Sequence, residues 1–300
     1  MTKRKGKYYM DTRGYKIFTV FNYIIVITAA LICLFPIINV FSVSLSSPHK
    51  AAAGAVWLLP KDFTLESYKF VMRSGNFWAA MFISIQRVIL GTSIGMILTI
   101  MAAYPLSKNT AEFRARRIYV WVYFFTMLFS GGLVPSFLIV HYTGIMDTIW
   151  ALILPGAVST WNIILMLSFF RGLPKELEEA AFLDEAGHWN ILWRIYVPLS
   201  KPAIATIGLF VIVGHWNSWF DGMLYMKKPY HYPLQTYLHS MLTIDVSRFL
   251  TTEQQNIIAK LSPKTIRATQ VCVATIPILC VYPFLQKYFT TGLVLGSVKG

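Results

Sequence analysis

The chain has 300 residues, of which 56% are hydrophobic, 15% aromatic and only 13% charged. Soluble domains run about 45–50% apolar and about 25% charged, so an ordinary soluble enzyme is excluded at the outset. The 27 Lys+Arg against 13 Asp+Glu, a formal charge of +14, would point to nucleic acid in a soluble protein. In a membrane protein it reflects the bias of basic residues toward cytoplasmic loops, so lipid is the expected partner and nucleic acid is not.

In chain order, residues 1–16 form a basic cytoplasmic tail carrying Lys3, Arg4, Lys5, Lys7, Arg13 and Lys16. The tail has the charge of a signal peptide, but the apolar run after it is too long and no small-x-small cleavage site closes it. Ala30-Leu31-Ile32-Cys33 also lacks the small residue a lipoprotein site needs before its cysteine. An uncleaved first helix follows.

Six segments carry little or no charge: Ile17 to Ser47, Ser74 to Ser107 (Arg87 alone), Ile118 to Val140, Thr148 to Phe170, Pro202 to Phe220 and Ala268 to Gln286. About 20 helical residues cross a hydrocarbon core, and soluble helices of this length need a polar face. The expectation is an all-α polytopic membrane protein with six transmembrane helices, at about 17–43, 77–106, 118–140, 148–170, 202–220 and 268–287. Residues 17–300 would form one transmembrane domain, with a cytoplasmic loop at 171–201 and an extracytoplasmic loop at 221–267. The four basic residues of 107–117, against none in 141–147, place both termini in the cytoplasm by the positive-inside rule. Pro36, Pro135, Pro155 and Pro277 fall inside spans, and Ser130-Gly131-Gly132 falls in the middle of the third. Such residues are tolerated where neighbouring helices or a water-filled cavity satisfy the backbone. Gly131 and Gly132 would line a path or allow a packing kink.

Segment 171–201 is unlike a simple turn. Pro174 suits a first helical position, and Lys175, Glu176, Glu178 and Glu179 follow it, with acids placed at the positive end of a helix. Leu177, Ala180, Ala181 and Asp184 recur at helical spacing, Gly187 offers a stop, and a second short helix from Trp189 to Val197 would end at Pro198. Two short amphipathic helices fit a docking knob for a cytoplasmic protein, or an interfacial pair lying on lipid.

Glu179-Ala180-Ala181 with Ile195, Val197 and Pro198 resembles the EAA loop of ABC importer permeases. The family pattern has glycine at the position of Glu185 and leucine at that of Val197. The resemblance extends to AAYPLSK at 102–108, SGGLVPSFLIV at 130–140, DTIWALILPGAV at 147–158, IGLFVIVGHWNSWFDGMLY at 207–225 and YPFLQKYFTTGLVLGSVKG at 282–300. These are similar to the smaller, six-helix permease of maltose-type carbohydrate importers, in the complex-oligosaccharide branch. The resemblance implies a heterodimer with a second permease, an ABC ATPase dimer that uses ATP and Mg, and an extracytoplasmic solute-binding protein that delivers the sugar. It makes Glu179, Ala180, Ala181, Asp184, Gly187, Ile195 and Pro198 the ATPase-coupling residues. The chain itself has no Gly-x4-Gly-Lys-Ser/Thr loop to cradle nucleotide phosphates, so no cofactor is expected on it and it is not read as an enzyme.

The candidate substrate path takes Arg87, Gly131, Gly132, Trp216, Asn217, Trp219 and Asp221. Arg87 would meet an acidic sugar, pair with the second permease, cap broken backbone or snorkel to the surface. The Trp216 to Asp221 cluster would stack and hydrogen-bond sugar, or belong to the aromatic belt at the membrane surface. In the 221–267 loop, Tyr230-His231-Tyr232-Pro233, Asp245, Arg248 and Thr251 to Gln255 would reach the binding protein or form a solvated surface. No metal spacing joins His188, His215, His231 and His239. The rival reading is an ion-coupled secondary transporter, which needs intramembrane acids or inverted repeats.

Overall fold

A computed structural model of the chain describes residues 13–73, 75–243 and 262–297, and no strand occurs among them. The chain divides into two compact units, Met1–Arg73 with Ser247–Val273, and Ser74–Val246 with Ala274–Gly300.

In the first unit, α1 (Arg13–Ser44) begins four residues before the charge-free run, with Arg13 and Lys16 in its first turn. Its apolar side chains from Ile17 to Ile37 are almost all exposed, which is stable only in lipid or against another apolar surface. The far end is covered by α2 (Pro48–Ala52), α3 (Glu66–Arg73) and the connection between them. Asn39 Nδ2 donates to the carbonyls of Val56 at 3.2 Å and Trp57 at 2.7 Å, and Ser42 Oγ donates to Leu58 at 2.6 Å. Ser44 Oγ meets Tyr68 Oη at 2.9 Å and Cys272 Sγ at 3.4 Å. Burial pushes the Tyr68 phenol up to about 12.

The second unit is built on α4 (Gly75–Ser107). The helices that follow are α5 (Arg116–Leu128), α6 (Leu133–Tyr142), α7 (Ile149–Ile153) with a 3-10 turn at Leu154–Gly156, α8 (Thr160–Arg171) and α9 (Glu176–Leu183). After them come α10 (His188–Ile191), which continues through a π turn at Leu192–Tyr196 into α11 (Val197–Leu199), then α12 (Lys201–Asn217), α13 (Phe220–Tyr225) and α14 (Leu234–Thr243). The last described helix, α15 (Pro263–Ser297), contains the sixth charge-free stretch. Helix α4 packs on α12, α8, α14 and α7, and Met96, Ile100 and Ala103 meet Met166, Phe170, Ile191 and Ile207 in the main core. Gly91 permits one close approach: a Cβ there would lie 2.4 Å from the His215 ring.

Several sequence expectations change. Helices α1 and α4 are each long and apolar enough to cross a membrane, and the number reaches five among the described residues if each sharply bent pair is one span. Segment 118–140 is not one straight helix: α5 and α6 meet at 113°, because Phe129 is extended and Gly132 takes a left-handed φ of 85°. Segment 148–170 bends by 52° after the turn containing Pro155. The fifth apolar helix stops at Asn217, with Ser218 extended. Helix α9 begins at Glu176 with Lys175 as its N-cap, so Pro174 precedes the helix. Pro198 does not end the second short helix, which runs on to Leu199. The π turn before it widens the backbone where a proline ring would crowd the carbonyl four residues back. Asp245, Arg248 and Thr251 to Gln255 lie outside the described residues.

Candidate functional site: the coupling helices and a buried ion pair

Helix α9 follows from three acids in its first turn, which suit the helix dipole. Its end is a complete Schellman motif: the Ala186 N–H donates to the Ala181 carbonyl at 2.9 Å and the Glu185 N–H to that of Phe182 at 3.0 Å. The motif needs a left-handed residue after the cap, usually glycine, and Glu185 fills it with φ 57°. Glu185 thus makes this turn without a glycine. Gly187, with φ −70°, caps α10 and does not make the turn.

The expected coupling residues separate. Glu179, Ala180, Asp184, Gly187 and Pro198 are exposed, Ile195 is half-buried, and Ala181 is buried against the main core. Leu183, at the end of α9, is 86% exposed.

A buried cluster that sequence reasoning passed over pins α9 in place. Lys108, just past α4, pairs with Glu178 Oε1 and donates to Tyr196 Oη at 3.2 Å, while the Tyr196 hydroxyl donates to Glu178 Oε2 at 2.6 Å. The ammonium lies 4.2 Å from the Tyr104 ring centroid and 4.5 Å from that of Tyr196. Tyr104 Oη also meets His188 Nδ1 at 3.1 Å, so α4, α9 and α10 share one polar knot. Burial pushes the Lys108 ammonium down while Glu178 pulls it up. Burial and the Glu178 carboxylate push the Tyr196 phenol up, which keeps it a donor. The available signal was a lysine directly after a long apolar helix; it read as one more basic loop residue, and Glu178 as one more first-turn acid.

The path candidates separate too. Arg87, 2% exposed, pairs with both carboxylate oxygens of Asp221 and donates to the Ser218 carbonyl at 3.2 Å. Asp221 Oδ1 accepts from Ser218 Oγ at 2.8 Å and the Gly222 N–H at 2.9 Å. The charge therefore finds its partner within the chain, at the carbonyl freed by the break between α12 and α13. Trp216 is buried and donates to the Ala274 carbonyl at 2.9 Å. Trp219 stacks on His239 at 3.9 Å between centroids, and Asn217 is exposed. Gly131 and Gly132 form the break between α5 and α6.

At the far end of α6, Asp147 has a left-handed φ of 60°. It accepts from the Lys227 N–H at 2.9 Å and contacts His231 Nδ1 at 2.9 Å. Burial raises its pKa, but His231 and the Lys227 N–H outweigh that and hold the carboxyl below its ordinary 3.8.

No family model matches the chain. Among curated proteins it is 37% identical to Protein LplC of Bacillus subtilis (strain 168), over 97% of each chain. It is 35% identical to the polygalacturonan/rhamnogalacturonan transport system permease protein YtcP of the same organism, covering 95% of this chain and 99% of that one. The chain belongs to the permease family of ABC-type sugar importers. This permease is also similar to a chain in the crystal structure of a bacterial ABC transporter involved in the import of the acidic polysaccharide alginate. That likeness has a TM-score of 0.83 and 34% identity, over 93% of this chain and 98% of that one. The permease is accordingly an integral membrane transport subunit and not an enzyme, and ATP hydrolysis belongs to a separate subunit. Family membership sets aside the ion-coupled carrier.

Proposed function

We propose that this permease forms half of a sugar-conducting pore with a second permease. Six spans would cross the membrane and both termini would lie in the cytoplasm. A binding protein delivers an oligosaccharide, and an ABC ATPase dimer consuming ATP and Mg drives alternating access through α9. The relatives named for polygalacturonan/rhamnogalacturonan and for alginate favour an acidic, uronate-containing oligosaccharide.

The observation that carries this reading is the attachment of α9. Its buried side is tied to the end of α4 through Lys108, Glu178 and Tyr196, while Glu179, Ala180 and Leu183 face outward. A push on the exposed face is then transmitted to the long apolar helix without a flexible joint.

The test is Leu183→Asp, made in the whole assembly. The variant is expected to insert and melt normally, yet to lose both ATPase co-purification and oligouronate uptake. Full uptake by Leu183→Asp would overturn the coupling role of α9.

A further inference from the structure

Next to α9 lie two adjoining cavities, one carrying charged side chains of both signs and the other mainly apolar. One, of about 540 Å³, holds Arg116, Arg171 and Lys175 in its wall together with the acids Glu112, Glu178 and Glu179. The other, of about 580 Å³, is walled mainly by Met101, Tyr104, Phe113, Phe182, Trp189 and Leu192. Lys108, Glu112 and Phe182 line both, so the two meet along a shared boundary.

The cations of the polar cavity are poorly accounted for. Arg116 Nε and Arg171 Nη2 both donate to the carbonyl of Leu106, at 2.9 and 3.3 Å. Capping the last carbonyls of α4 explains one donor from each guanidinium, and each has five. Among the described residues neither arginine has a carboxylate within ion-pair distance. None of the three acids of the same wall pairs with either arginine: Glu178 is held by Lys108 and Tyr196, Glu112 accepts from Asn109 at 3.2 Å, and Glu179 is exposed. Two guanidiniums drawn to one carbonyl oxygen repel each other, and an anion with several oxygens would relieve that repulsion. Paired N–H donors match the spacing of phosphate oxygens.

We infer that the two cavities hold one anionic phospholipid of the cytoplasmic leaflet, its phosphate on Arg116, Arg171 and Lys175 and an acyl chain along the apolar wall. A soluble anion would use the first cavity and leave the second without a role. The leaflet rests on the orientation proposed above, while the chemistry rests on the cavities alone. Basic pockets beside transmembrane helices on the cytoplasmic side are suited to anionic headgroups. Because the pocket borders Lys108–Glu178 and α9, the lipid would brace the element that receives the ATPase.

The test uses the intact assembly, reconstituted in phosphatidylcholine nanodiscs containing phosphatidylglycerol, re-extracted and assayed for retained lipid by native mass spectrometry. The wild type is expected to retain phosphatidylglycerol over phosphatidylcholine, and Arg116→Gln with Arg171→Gln to weaken that preference by about thirtyfold, as two basic residues at a membrane surface imply. Arg116→Lys with Arg171→Lys should keep most of it. If the Gln pair fails to assemble, Lys175→Gln at the rim and Phe113→Asp in the apolar wall carry the test, and each should reduce retention. No preference in the wild type, or unchanged retention in these variants, overturns the proposal. Displacement of the lipid by millimolar inorganic phosphate also overturns it, in favour of a soluble anion. Retained lipid is read without sugar uptake, so a failure here is distinct from a failure of the importer reading.

Discussion

The guanidinium of Arg87, buried in α4, is held by both oxygens of the Asp221 carboxylate in the first turn of α13, 134 residues further along the chain. Removing one partner of a buried pair leaves an uncompensated charge and costs about 3–5 kcal/mol, whereas replacing both with apolar residues is often near neutral. Asp221→Asn should therefore melt well below wild type in detergent, and Arg87→Met with Asp221→Leu should recover most of the loss. If the double change is as unstable as the sum of its parts, the two side chains do not act as a pair.

Glu185 occupies a left-handed position, which costs a residue with a Cβ about 1–2 kcal/mol. Glu185→Gly should raise the melting temperature and leave uptake intact, whereas Glu185→Val should lower it. Thermal melting of the three proteins side by side measures both signs.

The exposed and buried small residues of α9 should respond differently to bulk. Ala181→Phe overfills the main core and should cost about 1–3 kcal/mol of stability. Ala180→Phe, on the exposed face, should melt as wild type and lose ATPase association. Equal destabilisation by both would mean that Ala180 is as buried as its neighbour.

Gly91 and His215 should be coupled in the same manner. Gly91→Ala drives a methyl group into the imidazole ring, an overpacking of about 1–3 kcal/mol. His215→Ala in the same chain should relieve most of that, and a double-mutant cycle quantifies the coupling.

The Asp147 carboxyl has a pKa held below its ordinary 3.8. A depressed carboxyl stabilises the fold fully above its unfolded pKa, and the contribution disappears as pH falls through the folded value. The contact between Asp147 and the Lys227–His231 turn should thus hold at neutral pH and weaken below about pH 4. Asp147→Asn should flatten that acid limb in melts taken from pH 6 down to pH 3; an unchanged limb would remove Asp147 as its source.

Long charge-free segments and the EAA residues were enough, from sequence, to point to a membrane permease and to the positions of its apolar stretches. That information is local: a hydrocarbon core needs about 20 apolar residues, and a run of that length is visible without knowing what it packs against. Which side of each helix is covered was not legible. Lipid tails and protein interior are equally apolar, so a helix that is hydrophobic all round bears no mark of its inner face. Only the tertiary structure turned Ala181 inward and Ala180 outward, whereas the break of segment 118–140 at Gly132 was marked in the sequence by Ser130-Gly131-Gly132. The tertiary structure also joined Lys108 to Glu178 across 70 residues and Arg87 to Asp221 across 134. Those pairings depend on packing angles between elements far apart in the chain, and no spacing within the sequence encodes them.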